Sequence, residues 1–136
     1  MWYNLEVEKD WSKIDLYEWS FGDNREIADH LKELVLSGKK IATTGLWREG
    51  KKIPTKGEYA AIIGGDGKRV CIIRYTNTSV KPFLEVKYDF IQKEGEGDPD
   101  VETWREKHRA FFKNFSDSFN NDSRVVCEEF ELVAQL

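Results

Sequence analysis

A chain of 136 residues with 40% apolar and 34% charged side chains has the size and composition of one ordinary globular domain, residues 1–136, with core enough to need no staple. A formal charge of −4 argues against a general duplex-DNA binder while leaving room for a local basic site. No stretch reaches membrane-spanning length, and Met1-Trp2-Tyr3-Asn4 runs into charges rather than the apolar core of a signal peptide, so a cytoplasmic protein without a membrane partner is expected. Cys71 and Cys127 sit in apolar runs at no metal-ligand spacing and read as reduced core residues, with a buried disulfide the lesser alternative. Five tryptophans within a 13% aromatic content ask for a large core or a stacking surface.

Taken in order, residues 2–21 carry Trp11, Ile14, Tyr17 and Trp19 among charges and predict one or two short amphipathic helices. Asp23 followed by Glu26 forms an acidic capping box. Ile27, Leu31, Leu34 and Val35 then make an apolar stripe, and Gly38 stands where a left-handed cap belongs, which predicts a helix over about 23–37. Residues 40–46 predict a strand, and 47–56 an exposed, mobile, basic loop. Strands are expected at 59–63 and 70–76, joined by a Gly64-Gly65-Asp66-Gly67 hairpin, with a further short strand at 82–86 that Pro82 places at an edge or at a strand start. A helical turn at 88–91 leads to a Glu94-to-Pro99 loop in which Asp98 caps the next helix, amphipathic through about residue 115. The last strand, 125–133, places Val126, Glu128, Phe130 and Leu132 on one face. Mixed α and β is the reading.

Four stretches have residues suited to chemistry. Lys40 and Thr43 lie three apart, on opposite faces of an extended strand, and converge only across a turn or bulge near Gly38. A desolvated lysine activates a hydroxyl, whereas a charged one holds an anion. The acids Glu94, Glu96, Asp98 and Asp100 alternate as oxygen ligands do, yet lack the EF-hand glycine and distal glutamate, so a solvated capping loop is the simpler reading. His108 falls on the helical stripe between Trp104 and Phe112, the setting of a packed, hydrogen-bonded histidine. Lys39, Lys40, Arg48, Lys51, Lys52 and Lys56 face one acid, Glu49, with Trp47 interleaved. That pattern suits phosphates and a stacked base as well as it suits a solvated loop. The Gly64-Gly65-Asp66-Gly67 run leads into a strand rather than a helix and is no phosphate loop.

Five motifs occur in order: Trp19-Ser20-Phe21-Gly22-Asp23, Gly38-Lys39-Lys40-Ile41-Ala42-Thr43, Glu94-Gly95-Glu96-Gly97-Asp98, the run from Trp104 to Phe112, and Val126-Cys127-Glu128-Glu129-Phe130. Together they resemble the ASCH-domain family in its longer stand-alone bacterial branch. The resemblance implies an α+β, PUA-like bent β-barrel of about five to six mostly antiparallel strands with flanking helices. It also implies a cleft beside the GxKxxT segment and a partner that is RNA or a modified nucleoside. The family's GxKxxTxR maps onto Gly38, Lys40 and Thr43, but its arginine falls on Gly45, with Arg48 the available substitute. One branch resembles N4-acetylcytidine amidohydrolases, whose lysine, threonine and glutamate correspond to Lys40, Thr43 and Glu94. Around that catalytic set the implied ligand-binding residues are Gly38, Trp47, Arg48, Lys51, Lys52, Glu96 and His108. No cofactor follows from this reading. Other members resemble metal-assisted ribonucleases, for which Glu94 and Glu96 would hold a divalent metal, and a non-catalytic RNA-binding module is the third alternative.

Overall fold

A computed structural model of the chain describes residues 10–21 and 24–136. In chain order the elements are β1 (Tyr17–Trp19), α1 (Arg25–Leu36), β2 (Ala42–Leu46), β3 (Tyr59–Ile63), β4 (Arg69–Pro82), a 3₁₀ turn (Phe83–Glu85), α2 (Tyr88–Glu94), α3 (Val101–Lys113) and β5 (Arg124–Gln135). The strands form one curled, half-barrel sheet in the order β1-β3-β4-β5-β2. Pairing is antiparallel throughout except for β1 on β3, which is parallel. The architecture is the bent α+β barrel that the motifs imply.

Sheet and helices share the core through two main clusters. Phe83, Trp104, Phe112, Val125 and Cys127 pack between β5 and α3, while Val35, Ile62, Ile73, Tyr75 and Phe130 pack between the sheet and α1. Both cysteines are free and buried, and burial pushes their thiols up to about 11 for Cys71 and about 12 for Cys127. Both therefore stay protonated and inert.

Several local expectations are corrected. The N-terminal stretch is not helical where it is described: residues 11–13 turn, and Tyr17–Trp19 join the sheet beside Ala60, Ala61 and Ile62. Arg69 fixes that path by donating from Nη1 to the carbonyls of Trp11 and Ile14, both at 2.7 Å. Helical spacing was mimicked there by apolar residues packing onto the sheet. Asp23 lies outside the described residues; the cap on α1 is Asn24, whose side chain accepts from the Ile27 amide. α3 is capped by Asp100, which accepts from Thr103 N, and not by Asp98, whose carboxylate pairs with Lys107 at 2.9 Å. The short strand expected at 82–86 is absent. β4 instead runs unbroken to Pro82, because Thr78, Ser79 and Val80 ladder onto Glu128, Cys127 and Val126 of β5. A register shift between Tyr75 and Asn77 bends the strand there. The Gly64–Gly67 hairpin is as expected, with Gly64 donating to the Lys68 carbonyl and Gly67 at φ +80°.

Candidate functional site

The break between α1 and β2 builds the site. Gly38, in the left-handed conformation, ends the helix, and the Lys40 amide then reaches back to the Leu34 carbonyl at 3.0 Å. The next amide, Ile41, donates to Lys93 O at 2.8 Å and so stitches this segment to the end of α2. Gly95 makes that contact geometrically feasible. Its φ is +69°, and a Cβ built there would overlap the Lys39 carbonyl and lie 3.0 Å from Lys40 N. Only glycine lets the two backbones meet so closely.

This contact sets Lys40 above Glu94, both 1% exposed. The ammonium faces Glu96 Oε2 at 2.8 Å, the Glu94 carbonyl at 3.4 Å and Glu94 Oε2 at 3.7 Å. Two of these oxygens lie within hydrogen-bond reach of the ammonium, and the third adds ionic attraction. Glu94 Oε1 accepts from Trp104 Nε1 at 2.6 Å and from Thr44 Oγ1 at 3.4 Å. Its Oε2 also lies 3.8 Å from His108 Nε2. The His108 ring stacks on Trp104 and donates from Nδ1 to the Trp104 carbonyl at 3.0 Å, which turns Nε2 toward the carboxylate. Burial pushes the Glu94 carboxyl up, but His108, Lys40 and the Trp104 indole N–H together outweigh it and hold the group below the usual carboxylate range.

Beside this network opens a cavity of about 730 Å³. Trp19 of β1, Phe21 just after it, and Ile27 and Leu31 of α1 wall it on one side, with Phe111 of α3 and Phe115 beyond its end on the other. Of the expected residues, Lys40, Thr43, Glu94, Glu96, His108, Arg48, Lys51 and Lys52 all line it. Gly38 and Trp47 do not: Gly38 serves the helix end, and the Trp47 ring is covered by the Arg124 guanidinium at 4.2 Å. The basic loop is irregular but tethered, since Pro54 O accepts from Thr78 Oγ1 at 2.7 Å and Gly57 N donates to Tyr75 O at 2.8 Å.

Two residues not singled out from sequence enter here. Thr44, rather than Thr43, supplies the hydroxyl that reaches Glu94. Thr43 stands opposite Glu128 in the β2–β5 ladder, so those two side chains share the cavity floor. The signal for Glu128 lay in the last strand: one acid on a face otherwise made of Val126, Phe130 and Leu132. Burial raises its carboxyl to about 7, against the opposing pull of Lys51 and the Tyr75 hydroxyl. A carboxyl raised on folding stabilises fully below its unfolded value, and that contribution is lost as pH climbs through about 7. Glu128→Gln is accordingly expected to remove a fall in melting temperature between pH 5 and pH 8; an unchanged fall would place its origin elsewhere.

The model of the ASCH domain matches residues 17–134. The chain belongs to the ASCH-domain family. An ASCH domain from Lactobacillus crispatus JV V101 is 31% identical, superposes with a TM-score of 0.77, and is matched over 86% of this chain and 79% of its own. A protein of Enterococcus faecalis V583 is also 31% identical, with a TM-score of 0.79 over 96% of this chain and 87% of that one. The ASCH protein of Zymomonas mobilis shares the fold alone, at 6% identity and a TM-score of 0.54, over 88% of this chain and 67% of that one. A comparison with curated proteins finds no match. No helix among the described residues of this ASCH domain is long and apolar enough to cross a membrane.

Proposed function

We propose that this ASCH domain takes the base of an RNA nucleotide or a modified nucleoside into its cavity and hydrolyses an acyl group carried on the base nitrogen, as in an N4-acylcytidine. The observation that supports this reading is the convergence of Lys40, Glu94, Thr44 and His108 at one end of an aromatic-walled cavity. Its volume of about 730 Å³ suits a nucleoside. Trp19, Phe21 and Phe111 offer faces for stacking, and Arg48, Lys51 and Lys52 offer charge for a phosphate at the rim.

Lys40 acts here as a cation, not as a base, because its ammonium sits between two carboxylates and a carbonyl. Its charge stabilises the oxyanion that forms when the acyl carbonyl is attacked. Glu94 and Glu96 fix that charge in place. The metal-assisted alternative fits less well: Glu94 and Glu96 both converge on Lys40, and no group of three or more His, Cys, Asp or Glu among the described residues is placed to hold a metal. The donor set does not fit a divalent cation.

The test is product analysis after incubation with N4-acetylcytidine and, separately, with short single-stranded RNA, each with and without chelator. Deacylation that survives chelator, and that falls roughly 100-fold or more in Lys40→Met at a temperature where that variant is still folded, supports the proposal. RNA cleavage abolished by chelator would replace it with a nuclease, and binding without turnover would reduce the protein to a recognition module. Reversing Lys51 and Lys52 to glutamate should weaken single-stranded RNA binding and shallow its log–log salt slope by about 0.7 for each phosphate no longer neutralised. An unchanged slope would make these lysines solubility features.

A further inference from the structure

Glu94 is a poor proton carrier. Each of its oxygens is engaged, by Trp104 and Thr44 on one side and by Lys40 and His108 on the other. Those partners favour the ionised form, so a proton accepted there is not well held. A hydrolase needs a group that both takes and returns a proton near neutral pH.

We propose that Glu128, not Glu94, is the acid–base residue of the cavity, acting on a water held between its carboxylate and the Thr43 hydroxyl. This rests on the hydrolytic reading above. Four observations carry it. Glu128 and Thr43 are directly opposed in the β2–β5 ladder and both line the cavity. Gly45, two residues past Thr43 on the same face, leaves the space beside the carboxylate open, since a Cβ there would meet only Glu128 Oε2 within 4 Å, at 3.9 Å. The Tyr75 hydroxyl, whose oxygen accepts from Trp19 Nε1 at 3.0 Å, lies near enough to act on the carboxyl. Finally, the carboxyl is raised to about 7, where base and acid forms are both populated at neutral pH.

The step balances without any other reactant. Glu128 removes a proton from the water as its oxygen bonds to the acyl carbon, forming a tetrahedral adduct whose oxyanion faces Lys40. The protonated Glu128 then delivers that proton to the nitrogen as the carbon–nitrogen bond breaks. The products are the free carboxylic acid and the unacylated amine, and Glu128 is again a carboxylate.

Two histidines also line the cavity, His30 on α1 and His108 on α3, and Lys51 from the loop acts on Glu128 through its charge. The experiment is therefore a kcat/KM profile from pH 5 to 9 on N4-acetylcytidine for the wild type, Glu128→Gln, His30→Asn, His108→Asn and Gly45→Arg. Binding of the product cytidine is followed in parallel by tryptophan fluorescence. The wild-type rate is expected to rise through a limb near pH 7. Glu128→Gln should lose roughly 100-fold or more in kcat and the limb with it, while holding cytidine within about threefold. Gly45→Arg should shift the limb to lower pH, because a guanidinium beside the carboxylate favours its ionised form. Retention of the limb in Glu128→Gln, or its disappearance in a histidine variant instead, overturns this assignment and leaves the hydrolytic reading standing. Parallel loss of cytidine binding and rate in Glu128→Gln also overturns it, by making the residue structural. Cytidine binding with no turnover by the wild type sinks both.

Discussion

Gly95→Ala is expected to lower stability by about 4 kcal/mol or more and to leave little folded protein at 37 °C. Part of the loss, about 1–2 kcal/mol, is the strain of a side chain held at positive φ. The larger part is steric. The new methyl would overlap the Lys39 carbonyl, a backbone group held between α1 and β2, so relief requires separating the segment from α2. Gly97 provides the control. It too has a positive φ, +81°, but a Cβ there meets nothing within 4 Å, so Gly97→Ala should cost only the strain of about 1–2 kcal/mol. Urea unfolding followed by tryptophan fluorescence reads both variants. Equal losses would show that Lys39 is not pressed against Gly95 in solution.

Lys40→Met should be the second severe change, at about 3–5 kcal/mol, and markedly worse than Glu94→Gln, at about 1–2 kcal/mol. The asymmetry follows from the partners. Removing the ammonium leaves two carboxylates, Glu94 buried and Glu96 beside it, without the cation between them. Removing the Glu94 charge leaves Lys40 with Glu96 at 2.8 Å and the Glu94 carbonyl at 3.4 Å, while an amide oxygen still accepts from Trp104 and Thr44. The double variant should recover part of the Lys40→Met loss, because no uncompensated charge remains at position 94. pH gives an independent check. A carboxyl held below its unfolded value stabilises above that value, and the contribution is lost as pH falls through the lowered folded one. Glu94→Gln should therefore flatten the acid side of the stability profile. If the two single variants prove equally stable, Glu96 is not compensating Lys40.

The fold and half of this site were legible because the local signals were strong. The stripe of α1, the Gly38 stop, the glycine-rich hairpin and the amphipathic α3 each arise from residues close together in sequence. Lys40, Glu94 and His108 could be named together only through motif order, since nothing in their spacing predicts that Gly95 admits the Lys39 carbonyl. The failures share a cause. Whether residues 17–19 join a sheet, and whether β4 continues through Asn77 and Ser79, depends on a partner strand far away in sequence. Glu128 was missed for the same reason, since ladder register between β2 and β5 sets it opposite Thr43, and Thr44 because its carboxylate partner, Glu94, comes from α2, far along the chain. That Trp47 stands outside the cavity lining was not legible either, because Arg124, the residue covering its ring, comes from the first position of the last strand.

The strand order has a consequence for how the protein is made. β2 emerges early in synthesis, yet its ladder partner is β5, the last element of the chain. Until β5 is released from the ribosome, β2 and the apolar edge of β4 both lack the neighbour that separates them, and unpaired edges of this kind invite association with other chains. The cavity floor closes only when the final strand, which carries Glu128, slides between β4 and β2 and brings that residue opposite Thr43. A chain that stops before residue 124 therefore carries every lysine of the rim but only the Thr43 side of the floor, without Glu128.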